Sequence, residues 1–247
     1  MTHPASPPLV LLPGTLCDRR LYGRTLRALQ GRARVMLPGL RDLPRPADVP
    51  QWAGRLLARL PERFVLGGFS LGGLLALELL RQAPGRVAGL VMIASNAEGG
   101  SRAGAQRSRQ LWRDWQRRGA QAVARSLKPR YFHHAGLRRR HAGLVRDMAK
   151  DTPTRAARAQ FDFAAQRPAG LGVLAGSSMP VLVISGAQDG LCPPPLQRRM
   201  LQARPDACWI ELPRCGHFVP LEATSALNQA LHRWLTGLWP DPLGAPT

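Results

Sequence analysis

Three side chains of complementary chemistry stand at separated positions in the chain: the hydroxyl of Ser70, the carboxylate of Asp189 and the imidazole of His217. Ser70 lies in Gly67-Gly68-Phe69-Ser70-Leu71-Gly72-Gly73, after the apolar run Phe64-Val65-Leu66 and before Leu74-Leu75-Ala76-Leu77. This is the G-x-S-x-G pattern in its working context, a strand that turns sharply into a helix with serine at the apex. Such a turn holds the hydroxyl above a sheet only in a backbone conformation most residues avoid. Gly68 and Gly72, without Cβ atoms, let strand and helix pass closely. The helix N-terminus behind Ser70 offers free N–H groups and a positive dipole end where an oxyanion could form. The plain alternative is a Gly-rich turn with an incidental serine, and the position between strand and helix argues against it.

A serine hydroxyl is a weak nucleophile at neutral pH and needs a base within hydrogen-bonding reach. Histidine is suited to take its proton and return it to a leaving group, which is the role expected of His217. Asp189 on the far ring nitrogen would hold the productive tautomer and stabilise the imidazolium. The backbone N–H groups of Leu71, directly after the serine, and of Thr15, in the first strand–helix loop, are the expected oxyanion donors. Each residue has a blander reading. Asp189-Gly190 is a common turn pair, so Asp189 could simply cap the turn before Leu191. His217 could be a loop histidine satisfied by backbone, and Glu98 is the rival for the acid. Asp189 is preferred because one helix and one strand separate it from His217.

These residues need a scaffold that brings four loops to one edge, and the hydrophobic pattern provides one. Strands are expected at Leu9–Leu12, at 33–37, at Phe64–Leu66, at 87–94, at 181–184 and at 207–212, alternating with helices near 19–30, 52–60, 71–83, 196–203 and 220–238. Continuous apolar runs read as strands buried on both faces. Alternation with helices implies a parallel sheet, and ligands gather beyond the carboxyl ends of its strands. The strands at 9–12, 64–66, 181–184 and 207–212 are followed by Thr15, Ser70, Asp189 and His217. Between 96 and 178 the strand-like runs vanish, and helices are expected at 102–118, 120–127, 137–150 and 154–166. The expected division is therefore a core of 1–95 with 179–247 and a helical cap of 96–178. The Pro/Gly-rich tail from Pro240 reads as loose.

The motifs Leu11-Leu12-Pro13-Gly14, Gly68-Phe69-Ser70-Leu71-Gly72-Gly73, Ser185-Gly186-Ala187-Gln188-Asp189 and Cys215-Gly216-His217-Phe218, in this order, resemble those of α/β-hydrolase-fold enzymes over nearly the whole chain. Within that superfamily the chain is most similar to small bacterial carboxylesterases of the pimeloyl-acyl-carrier-protein methyl ester esterase and enol-lactonase type. Many relatives carry His-Gly where this chain has Pro13-Gly14, a departure that leaves a backbone donor intact. The chain starts directly at the first central strand, so about six parallel strands are expected, with helices on both faces. The resemblance implies a serine hydrolase of carboxylic esters working through an acyl-Ser70 intermediate, without cofactor or metal. Thioesterase, acyl-carrier-protein-linked ester hydrolase, enol-lactonase and C–C hydrolase chemistry are alternatives on the same residues. A non-catalytic small-molecule binding module is the alternative outside enzymes. Serine at the elbow argues against a dehalogenase. Leu16, Trp112, Phe161 and Phe218 are the side chains expected at the substrate, although cap aromatics serve equally as the cap's own core.

Composition narrows the partners. At 247 residues the chain fits one large domain. The net charge of +20 is almost all arginine, and the segment 96–178 holds seventeen Lys/Arg against five Asp/Glu. A solvated helical face accounts for such a charge; attraction of an acidic acyl-carrier protein is the functional alternative. No zinc-finger spacing or RNA-stacking motif supports nucleic acid as a partner. No apolar run is long enough to span a bilayer, and the N-terminus lacks the pattern of a secretion signal, so a cytoplasmic protein is expected. Cys17, Cys192, Cys208 and Cys215 form no C-x-x-C pair and read as four free thiols.

Overall fold

Six apolar runs form the strands β1 (Leu9–Leu12), β2 (Val35–Met36), β3 (Phe64–Phe69), β4 (Val87–Ile93), β5 (Val181–Gly186) and β6 (Cys208–Leu212). They make one wholly parallel sheet in the order β2-β1-β3-β4-β5-β6. The computed structural model describes residues 6–238, with backbone alone for residues 122 and 125–130. The tail expected to be loose lies outside the described residues.

Alternation along each strand divides the core in two. Leu9, Leu11, Val65, Val91, Ile93, Leu182 and Ile184 face one layer, which includes Leu29 of α1 (Gly23–Leu29) and Leu227 and Leu231 of α10 (Thr224–Leu238). Val10, Leu12, Leu66, Leu90, Met92, Val181 and Val183 face the other, against α2 (Val49–Leu57), α3 (Leu71–Gln82) and α8 (Pro194–Ala203). Burial on both faces is why the central strands read as unbroken apolar runs. Each such Val, Leu or Ile contributes about 1.5–3 kcal/mol by leaving water.

Several boundaries differ from the sequence expectation. β2 is only two residues long, and both are half-buried, as befits a sheet edge. β3 continues through Gly67 and Gly68 to Phe69 because β4 pairs along all of it. The helix expected near 19–30 is divided: a 3-10 turn over Arg19–Tyr22, where Asp18 accepts from the Arg20 N–H, precedes α1. The last helix is also divided, α9 (Val219–Glu222) ending before α10 begins.

Between β4 and β5 the chain forms α4 (Arg102–Tyr131), α5 (Ala135–Lys150), α6 (Thr154–Gln166) and α7 (Leu171–Ala175). Gly119, at φ 73° and ψ 178°, interrupts α4 where two helices were expected to meet, but the second half runs on to Tyr131. α7 is too short to be distinguished in the sequence. No helix among the described residues is long and apolar enough to cross a membrane.

The chain order of the strands reverses at β1 and β3, which makes the carboxyl ends of these two strands a switch point. Backbone strain concentrates along this edge. All four non-glycine residues with positive φ among the described residues follow strands: Leu16 (56°) after β1, Ser70 (52°) after β3, Ala94 (44°) after β4 and Arg214 (52°) after β6. Each such conformation costs about 1–3 kcal/mol and persists only where its surroundings enforce it.

Candidate active site

The elbow is built by a close approach of backbones. A Cβ on Gly68 would lie 2.1 Å from the carbonyl carbon of Gly72, and one on Gly72 would lie 2.3 Å from the carbonyl oxygen of Leu12. Glycine at position 68 therefore lets β3 and α3 meet at this angle, and glycine at position 72 lets the start of α3 pass the end of β1. Ser95, immediately after Ala94, donates from Oγ to the Ser70 carbonyl at 2.8 Å and anchors the turn from the neighbouring strand.

Ser70 Oγ lies 3.0 Å from Nε2 of His217, and Nδ1 of His217 lies 2.8 Å from Oδ2 of Asp189. His217 and Asp189 are both buried. The second oxygen of Asp189, Oδ1, accepts from the N–H groups of Leu191 (2.8 Å) and Cys192 (2.9 Å). The two readings of Asp189 in the sequence are thus satisfied together: one oxygen caps the turn and the other faces the imidazole. Burial pushes the Asp189 carboxyl up, but the adjacent His217 charge and the hydrogen bonds from His217, Cys192 and Leu191 outweigh it, holding the group below the usual carboxylate range. The rival acid, Glu98, is directed elsewhere, with its carboxylate 3.1 Å from Arg199.

His217 is held from several sides. Tyr131, the last residue of α4, stacks on its ring with centroids 5.4 Å apart and planes at 26°. Phe69 packs on it at 5.1 Å. The loop bearing His217 is tied to the α4–α5 junction by Glu222, whose carboxylate accepts from the N–H groups of Gly216 (2.8 Å), His134 (2.6 Å) and His133 (3.2 Å).

Beside Ser70 lies a cavity of about 160 Å³. Thr15 and Leu71 line it with Ser70, so the two expected oxyanion donors border the space in front of the hydroxyl. Their N–H groups form no hydrogen bond within the described residues. Of the four side chains expected at the substrate, Phe161 lines this cavity. Leu16 is buried, with its N–H bonded to Gln160 Oε1 at 2.8 Å. Trp112 carries the Arg158 guanidinium over its ring at 4.9 Å, and Phe218 packs in an aromatic cluster with Phe69, Tyr131 and Phe132. None of these three is among the lining residues. The lining also includes Asn96, Arg107, Ser108, Tyr131 and Arg167, which the sequence did not single out. A larger cavity, about 770 Å³, lies at Cys17, Asp18, Arg20, Leu40 and Gln160; it shares no lining residue with the first and holds no nucleophile–base pair.

Asp189, Cys192 and His217 present potential ligand atoms within 4.8 Å of one another. They fit a metal poorly. Burial, then the Asp189 charge, push the Cys192 thiol up to about 12, and the thiolate is the form that ligates. Both oxygens of Asp189 and both ring nitrogens of His217 are already engaged within the protein.

A strained serine, an imidazole that can take its proton, a carboxylate behind the imidazole and two unengaged N–H groups at one cavity can perform nucleophilic acyl transfer. The comparisons with known proteins point the same way. The model of the alpha/beta hydrolase family matches residues 9–230. The pimeloyl-[acyl-carrier protein] methyl ester esterase of Aromatoleum aromaticum is 31% identical over 232 residues, covering 85% of this chain and 91% of that protein. A second pimeloyl-[acyl-carrier protein] methyl ester esterase, from Nitrosomonas europaea, is 30% identical over 236 residues, covering 85% of this chain and 88% of that protein, and another relative, 36% identical over 102 residues, is covered over only 20% of its length. Among solved structures, a thermophilic esterase from Thermogutta terrifontis superposes with a TM-score of 0.79 at 25% identity, covering 94% of this chain and 90% of the other. The enol-lactonase from Burkholderia xenovorans LB400 superposes with a TM-score of 0.81 at 22% identity, covering 96% and 94%.

Proposed function

The chain belongs to the alpha/beta hydrolase family and is a hydrolase of esterase type, and from that premise we propose that it cleaves carboxylic esters through an acyl-Ser70 intermediate. The observation that carries this reading is the continuous relay Ser70 Oγ–His217–Asp189, with separations of 3.0 and 2.8 Å, opening on a cavity bordered by two free N–H groups. In the first half-reaction Ser70 Oγ attacks the acyl carbon while Nε2 of His217 takes the hydroxyl proton. The imidazolium so formed donates from Nδ1 to Asp189, whose lowered pKa keeps it ionised for this role. The developing oxyanion accepts from the N–H groups of Thr15 and Leu71. His217 then protonates the departing alkoxide. In the second half-reaction water attacks the acyl-serine with the same base, and the acid and Ser70 are released. The residues 96–178 act in this reading as a cap that closes the acyl site from above the sheet.

The test is turnover of short p-nitrophenyl esters together with labelling by a fluorophosphonate probe. The wild type turns over and is labelled at Ser70. Ser70→Ala loses labelling and at least about 10³-fold in kcat while keeping its folded circular dichroism spectrum. Retained turnover in that variant overturns the mechanism, and an unlabelled wild type supports a non-catalytic binding pocket.

A second reading keeps the relay and changes the substrate to an ester carried on an acidic acyl-carrier protein. Two observations favour it: the activity of the 31% identical relative, and the excess of arginine in the segment 96–178. Under this reading kcat/KM for the carrier-linked ester falls steeply with salt. A flat salt dependence counts against it.

A further inference from the structure

The cavity in front of Ser70 has an unusual charge balance. Two arginines are among its lining residues, Arg107 of α4 and Arg167 just after α6, and no Asp or Glu is. Asp189, close by, is committed to His217 and to two backbone N–H groups.

Arg167 is half-buried, and its hydrogen-bond partners are neutral. Nε donates to the Glu98 carbonyl at 2.8 Å and Nη1 to the Ala164 carbonyl, which leaves Nη2 without a partner among the described residues. The Glu98 carboxylate is within electrostatic reach of Arg167 but is hydrogen-bonded to Arg199. Burial lowers the Arg167 pKa, so the charge is not fully compensated by the protein. Arg107 is exposed and makes no hydrogen bond or ion pair among the described residues. Both guanidiniums act electrostatically on the Cys192 thiol, and Cys192 lines the same cavity.

A partly desolvated arginine with spare donors, facing a cavity and lacking a carboxylate partner, is a receptor for an anion. The volume adds a second constraint. About 160 Å³ lies well below the roughly 300–1,000 Å³ of drug-sized ligand pockets, so the space in front of Ser70 holds a small acyl or alcohol group.

We propose that the substrate is a small ester that itself bears a carboxylate, held by Arg167 and Arg107 while Ser70 meets its ester group. This rests on the esterase reading above and adds the class of ester. The carboxylate can sit on the acyl or on the alcohol side, and two pairs matched in shape, with an isopropyl group in place of the carboxylate, distinguish these: monomethyl glutarate against methyl 5-methylhexanoate, and 4-acetoxybutyrate against 4-methylpentyl acetate.

The experiment measures binding to Ser70→Ala by calorimetry, so that it does not depend on turnover. In at least one pair the charged ester binds about tenfold tighter or more than its neutral partner, since hydrogen bonds to a charged group are worth about 1.5–3 kcal/mol. The pair that shows the preference identifies the side that carries the charge. Adding Arg107→Gln, on an exposed helix face, reduces the preference, adding Arg167→Gln as well removes it, and Arg167→Lys in place of Arg167→Gln retains part of it. The loss of affinity falls on the charged esters more than on the neutral ones. Equal binding within both pairs, or a preference that survives the double arginine variant, overturns the proposal. Failure of the esterase reading is recognised separately, by the absence of fluorophosphonate labelling at Ser70 in the wild type.

Discussion

Gln160, on α6, accepts a hydrogen bond from the backbone N–H of Leu16 at 2.8 Å, across 144 residues of chain. Gln160 is 1% exposed, and its amide nitrogen reaches the Leu40 carbonyl at 3.4 Å. Leu16 carries φ 56°, a conformation that needs support, and it directly follows Thr15, the proposed oxyanion donor. One side chain of the helical segment thus holds the backbone of the loop that carries the proposed donor.

Replacing Gln160 with Leu leaves the Leu16 N–H buried without an acceptor, at a cost of about 1–3 kcal/mol. If this bond aims the neighbouring Thr15 N–H, the loss falls on transition-state stabilisation. Gln160→Leu is expected to lower kcat about tenfold or more with little change in KM, measured on a p-nitrophenyl ester. An unchanged kcat means that the loop is held without Gln160.

What could be read from sequence follows from how local each signal is. Ser70, Asp189 and His217 each follow a strand within a few residues, so strand-end reasoning places them on one edge before any packing is known. Ser95 obeys the same rule and could have been found by it, since it follows β4 after a single residue and holds the Ser70 carbonyl. Gln160, Arg167 and Tyr131 obey no such rule. They lie in a helical segment whose orientation over the sheet is set by tertiary packing, and a helix's periodicity gives its apolar face but not what that face meets. Leu16, Trp112 and Phe218 show the same limit from the other side. An apolar residue near a site is equally fitted to line it or to support it, and these three lie outside the cavity lining.

The elbow predicts its own sensitivity. A Cβ at position 68 would sit 2.1 Å from backbone carbon that belongs to both β3–α3 packing and the Ser70 turn, and backbone cannot move aside as a flexible side chain can. Gly68→Ala is expected to destabilise by more than about 4 kcal/mol, within the rare class of severe substitutions. Gly85, with open space around its hypothetical Cβ, is the control. Urea unfolding should separate the two, with Gly85→Ala within about 1 kcal/mol of wild type.

The thiols offer a test of burial. Cys17, Cys192 and Cys215 are buried, and burial raises all three, Cys192 and Cys215 to about 12. Cys208 is exposed on the edge strand β6. The thiolate is the reactive form. One thiol per chain should therefore react promptly with Ellman's reagent at pH 8 in the native protein and four in guanidinium, and Cys208→Ser should abolish the native reaction. More than one fast native thiol contradicts the packing around the site.

Asp189 links the site to stability through its proton. Its folded pKa lies below the ordinary value of 3.8, because the His217 charge and the hydrogen bonds to the carboxylate overcome the opposing effect of burial. A depressed folded pKa means that the unfolded chain binds the proton more readily, so the ionised group stabilises the fold at pH values above 3.8. That contribution is lost as pH falls through the lower folded value. Asp189→Asn keeps the shape of the side chain but has no proton to gain in this range. The difference in urea-unfolding free energy between wild type and Asp189→Asn is thus expected to shrink on acidification below about pH 4. At neutral pH the same variant should lower kcat by about 10³–10⁴, because an amide does not select the His217 tautomer that accepts from Ser70. A stability gap that stays flat or widens below about pH 4 contradicts an ionised Asp189 held by His217. A loss of kcat without that pH signature places its effect in geometry alone.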